Sequence, residues 1–136
     1  MASEKAKFQK PDPSEYHEFY EGYISGVTEH NFWNELTTQP EQLRNLFAGV
    51  SHEQETLLQE PYTWTFRQVL GHMIDCERIF STRLLRIATG DETPIPGIDQ
   101  NQYVSGLDYE SVSLSDLLEE FGLLRQANIM LANRLT

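Results

Sequence analysis

Apolar side chains recur along this chain three and four residues apart and nowhere alternate over a useful length, the pattern of helices packed through one face. The clearest period runs from Phe66 to Thr89, where Phe66, Val69, Leu70, Met73, Ile74, Phe80, Leu84, Ile87 and Ala88 form one broad stripe. Thr65 followed by Gln68 is a capping box that starts this helix, and Gly90 offers a left-handed stop. A first helix is predicted over about 14–28, with Ser14 as N-cap and Tyr16, Phe19, Tyr20, Tyr23, Ile24 and Val27 on an aromatic-rich face. Glu15, Glu18 and Glu21 lie near its start, where carboxylates suit the positive end of the helix. A second helix covers roughly 33–49 through Leu36, Leu43, Leu46 and Phe47, with a kink or fresh start at Pro40 and a stop at Gly49. Ser51 and Gln54 form another capping box and predict a short helix ending near Gln59.

Residues 91–112 read as a loop, because Pro94, Pro96 and Gly97 exclude a helix through 93–97. A loop of that length in a compact domain is usually functional or packed across a surface. Ser113 caps a last helix through Leu114, Leu117, Leu118, Phe121, Leu124, Ala127, Leu131 and Leu135, running to Thr136. Residues 1–13 are a flexible lead-in, and 14–136 form a single helical domain. The expected fold class is all-α: three long helices and one short one in a bundle.

Composition narrows the partners. A net charge of −11 argues against a nucleic-acid or anionic-membrane surface, both of which need clustered basic side chains. The single cysteine, Cys76, can form no internal disulfide, and the N-terminal residues lack the apolar core of a secretory signal. No apolar stretch reaches the length of a membrane span. A cytoplasmic location is the expectation that remains.

Candidate chemistry lies on the long helix. At 100° per residue its apolar stripe centres near Phe66, Met73 and Leu84. Glu77 falls close to that centre, where a carboxylate needs a partner. It is either a buried Glu held by a Tyr, an Arg or a backbone group, or a carboxylate beside a site. His72 lies at the flank of the stripe with Asp75, Val69 and Cys76, and spacing alone reads it as a packed or half-exposed polar residue. No second histidine stands one turn away. Cys76, among apolar neighbours, reads as a packed, inert thiol. His17, His30 and His52 are scattered, with His30 and His52 near helix ends and solvated. Phosphate loops, dinucleotide fingerprints and nucleophile elbows are absent.

The run from Tyr62 through Arg78, the segment Arg83–Asp91 and the stretch Pro94–Tyr103 together resemble the DinB/YfiT-like superfamily, in particular its DinB-like branch. Trp64, the helix start, His72 two turns in, Asp75-x-Glu77 and a Pro-Gly loop follow in the same order, and Glu15, Tyr16, Tyr20, Tyr23 and Ile24 resemble the start of such proteins. The resemblance implies an up-down-down-up four-helix bundle, frequent homodimers, and a divalent metal of the zinc or nickel class held by three histidines. His72 matches the first ligand, with Asp75 or Glu77 as residues that would orient it. The other two ligands, a pair one turn apart on the last helix, are missing from this chain, which is expected to be incomplete at its C-terminus or else to have lost the site. Two functions follow: a metal-dependent enzyme of the thiol-dependent transferase or hydrolase type acting on a small-molecule or thiol substrate, or a non-catalytic dimeric bundle with a degenerate site. In the first, the metal would make a bound water or thiol nucleophilic at neutral pH, and the 91–104 loop would shape the mouth of the site.

Overall fold

The computed structural model describes residues 9–28 and 31–135. Among the described residues six α-helices follow in order: α1 (Glu21–Ser25), α2 (Phe32–Phe47), α3 (His52–Glu55), α4 (Phe66–Ala88), α5 (Gln100–Gly106) and α6 (Leu114–Ala132). No strand occurs among the described residues. The central contact is α4 along α6; α2 packs on α6 and α5 on α4.

The long helix starts and stops where local chemistry dictates. Thr65 accepts from the Gln68 N–H, and the Gln68 side chain accepts from the Thr65 N–H. Beyond Ala88, Gly90 adopts a φ of +72°, a conformation that glycine reaches without steric cost. Ser113 caps α6 as expected, although the helix ends at Ala132. Thr136 lies outside the described residues, as do residues 1–8 of the lead-in.

Leu70 and Ile74 of α4 meet Leu114, Leu117 and Phe121 of α6, with Tyr109 closing the cluster. The broad stripe of α4 therefore divides. Leu70 and Ile74 turn into the core, while Val69, Phe80 and Ile87, about 80–140° away around the helix, turn outward. Phe80 is 59% and Ile87 66% exposed, so this edge of α4 is uncovered. The described helices pack around α4 and α6 and leave one side of α4 open.

Several expectations need correction. The first helix breaks into two single 3₁₀ turns, Pro13–Glu15 and Glu18–Tyr20, followed by the five-residue α1. Asp12, not Ser14, caps the first turn. Most of the aromatic face stays exposed among the described residues, with only Tyr16 and Ile24 partly buried: Phe19 is 68% and Tyr23 71% exposed, and a helix this short is marginal without packing. Pro40 does not restart α2, which runs unbroken from Phe32 to Phe47 and stops short of Gly49 with no left-handed residue there. Proline removes the N–H that would bond the Leu36 carbonyl, and Arg125 of α6 donates to that carbonyl instead, at 3.3 Å. Finally, α3 ends at Glu55, and the 91–112 loop contains α5, whose N-cap Asp99 accepts from the N–H groups of Asn101 and Gln102. Residues 93–97 are non-helical, as the prolines require.

Candidate metal-binding face

His72 stands in the second turn of α4, half-buried, on the edge that the rest of the fold leaves open. Trp64, held just before the N-cap, lies against it with ring centroids 5.1 Å apart. One helical turn on, Cys76 brings Sγ to 3.6 Å from His72 Nε2 and 3.9 Å from Nδ1. A sulfur and a nitrogen bound to one tetrahedral zinc, with bonds of about 2.3 and 2.1 Å, are themselves about 3.6 Å apart. The Nε2–Sγ distance matches that value, but Sγ is almost as near to Nδ1, so the sulfur lies beside the imidazole ring and a side-chain rotation is needed before both donors can meet one ion. Burial, and then the charges of Asp75 and Glu77, push the Cys76 thiol up, so it is protonated at neutral pH until something displaces the proton.

The two carboxylates flanking Cys76 in sequence turn to other partners. Asp75 is buried, and its Oδ1 accepts from the Tyr109 hydroxyl at 2.5 Å. Its Oδ2 has no hydrogen-bond partner among the described residues. Burial, with the Asp75 hydrogen bond and charge, raises the Tyr109 hydroxyl above its ordinary range. The Tyr109 ring lies flat against Gly71, where a Cβ would come within 2.5 Å of it. Glu77 accepts from Arg125 Nε at 3.0 Å and Nη2 at 2.5 Å, and from Asn128 Nδ2 at 2.8 Å. Glu77 is thus a half-buried carboxylate held by an arginine, one of the partners that the apolar stripe called for. Neither Asp75 nor Glu77 hydrogen-bonds His72.

The other histidines do not join His72. His17 caps the second 3₁₀ turn, accepting from the Phe19 N–H at 3.1 Å. His52 is exposed, 3.8 Å from Glu55, and His30 lies outside the described residues. Among the described residues no three His, Cys, Asp or Glu side chains come close enough to hold a metal ion. The 91–99 loop is fastened further along α4, where Arg86 donates to the Thr93 carbonyl and Arg83 to that of Pro96. Trp64 also borders an apolar hollow of about 460 Å³, walled by Phe47, Val50, Leu57 and Val69.

Cys76 is the residue that a search for histidine pairs passes over. Its i+4 spacing from His72 is visible in the sequence, since side chains four apart share a helix face. A family model described as the DinB superfamily matches residues 35–136. No curated protein and no solved structure matches the chain.

Proposed function

The chain belongs to the DinB superfamily, and from that premise we propose that it acts as a divalent-metal protein of the thiol-dependent transferase or hydrolase type, with His72 as the ligand contributed by α4. The observation that carries the reading is the placement of His72 and Cys76 one turn apart on the open edge of α4, where rotation of either side chain would bring a nitrogen and a sulfur onto one zinc or nickel-class ion. The described residues do not complete such a site, because a catalytic metal needs three protein ligands and an open position. The remaining donors would approach across the uncovered edge marked by Val69, Phe80 and Ile87. That edge also supports a homodimer, since exposed apolar surface of this kind marks interaction sites.

A second reading, a dimeric bundle with a degenerate site, draws on the commitments of Asp75 and Glu77. Glu77 is held by Arg125 and Asn128, and Asp75 is tied through Oδ1 to Tyr109, and neither hydrogen-bonds His72. Metal content separates the two. Purified protein and His72→Ala are incubated with zinc, desalted, and analysed for metal. The first reading expects bound zinc in the parent and its loss in the variant. Equal content in both would remove His72 as a ligand.

A further inference from the structure

We infer that the chain carries a second site, a pocket for a small organic monocarboxylate between the C-terminal half of α4 and the 94–103 segment. This goes beyond the metal reading and does not rest on it. The pocket has a volume of about 250 Å³, below the several hundred Å³ of drug-sized sites, and so fits a small ligand. Arg78, Arg83 and Arg86 line one side; Ile95, Ile98 and Tyr103 line the other. Three of the chain's seven arginines thus converge on one hollow of a protein whose net charge is −11.

The three differ in what they have left to give. Arg78 is paired with Glu120, and Arg86 with Asp91 at 2.7 Å. Arg86 also donates to the Thr93 carbonyl, so it is occupied with fastening the loop. Arg83 has no carboxylate partner among the described residues. Its guanidinium sits 5.6 Å from the Phe80 ring centroid and donates through Nη2 to the Pro96 carbonyl at 3.1 Å. The planar fork keeps further N–H donors, and two parallel donors on a guanidinium match the two oxygens of a carboxylate. Arginines 44, 67, 78, 86 and 125 all have a carboxylate in reach; Arg83 and Arg134 have none among the described residues, and of these two only Arg83 lines the hollow.

Charge and wall chemistry set the ligand class. With Arg78 and Arg86 paired to Glu120 and Asp91, Arg83 is the one guanidinium of the three without an ion-pair partner, which suits a monoanion better than a phosphate dianion. The carboxylate of Asp99, next to Ile98, is engaged by the N–H groups of Asn101 and Gln102. Ile79, Ile95 and Ile98 give the hollow an apolar wall, so the anion carries a short hydrocarbon body. The ligand is therefore a small carboxylic acid, its charge on Arg83 and its body on the isoleucines.

The test uses hexanoate and its uncharged isostere hexanamide as probes. Each is titrated at millimolar concentration into ¹⁵N-labelled protein, and the Arg83 Nε–Hε and 94–103 amide signals are followed. Hexanoate is expected to shift them saturably and hexanamide not to. Arg83→Gln, which keeps donors for the Pro96 carbonyl but loses the charge, is expected to weaken hexanoate binding about tenfold or more, as for a lost charge-assisted bond. Equal responses to both probes, or none to either, would overturn the inference on the unaltered protein alone. Undiminished hexanoate binding by Arg83→Gln would overturn the role of Arg83.

Discussion

Arg125→Met tests the packing of α2, α4 and α6 at its most demanding point. Arg125 is 8% exposed and bridges all three helices. It holds Glu77 through two N–H groups, donates to Gln39 Oε1 at 2.6 Å and to the Leu36 carbonyl at 3.3 Å, and lies 5.0 Å over the Phe121 ring. Methionine fills much of the same apolar volume, so the loss isolates the charge and the donors. Breaking a buried pair by removing one partner costs about 3–5 kcal/mol, because the other charge stays behind unpaired. Asn128 still donates to Glu77 Oε2, and the Glu77 side chain is 14% exposed, which places the expected loss near about 3 kcal/mol. A domain with a total stability of about 5–15 kcal/mol survives this. Guanidinium unfolding followed by far-UV circular dichroism reads it. Combining the change with Glu77→Leu removes the stranded charge and is expected to recover at least about 1 kcal/mol relative to Arg125→Met. A loss below about 1 kcal/mol for the single variant, or no recovery in the double, would refute the reasoning.

Gly71→Ala would place a methyl 2.5–2.6 Å from three Tyr109 ring atoms. The ring is tethered to Asp75, so the clash is expected to cost about 1–3 kcal/mol and lower Tm by several degrees; an unchanged Tm would show that Tyr109 is not seated there. For Glu55, burial pushes the carboxyl up, but the Arg67 bonds, the Leu114 N–H and the Arg67 charge outweigh it and hold it below the ordinary 4.5. A depressed carboxylate contributes stability above its unfolded pKa and loses it as pH falls through the folded one. Parent and Glu55→Gln should therefore differ most near neutrality and converge in acid, and parallel stability–pH curves would contradict this. Phe80→Glu, on the open edge of α4, is expected to change stability by less than about 0.5 kcal/mol while weakening self-association in sedimentation; unchanged association would place any dimer contact elsewhere.

Features decided locally were legible in the sequence. The Thr65 capping box and Gly90 fix α4 to within a residue, because their partners lie within one turn. Glu77's need for a partner was equally legible from its place on the stripe. Its partner was not: Arg125 is 48 residues away, and only the packing of α4 on α6 joins them. The aromatic period of residues 16–27 promised a helix that needs burial to form and, among the described residues, receives it only in part at Tyr16 and Ile24. The Pro-Gly run at 94–97 masked the cap at Asp99, and with it α5. At the candidate site, His72 was legible through resemblance to a family. Cys76 lay in plain view at i+4, but its part depends on the rotamers that turn sulfur and imidazole toward each other.

The most direct test of the metal-binding face is a Co²⁺ titration read by absorption. Cobalt reports both its coordination geometry and any thiolate bound to it. With His72 and Cys76 on one ion, the parent protein develops tetrahedral d–d bands with a thiolate-to-cobalt charge-transfer band in the near ultraviolet. Cys76→Ser loses the charge-transfer band, and His72→Ala loses the tetrahedral bands. A spectrum that stays that of aquated, octahedral cobalt throughout the titration would contradict the account.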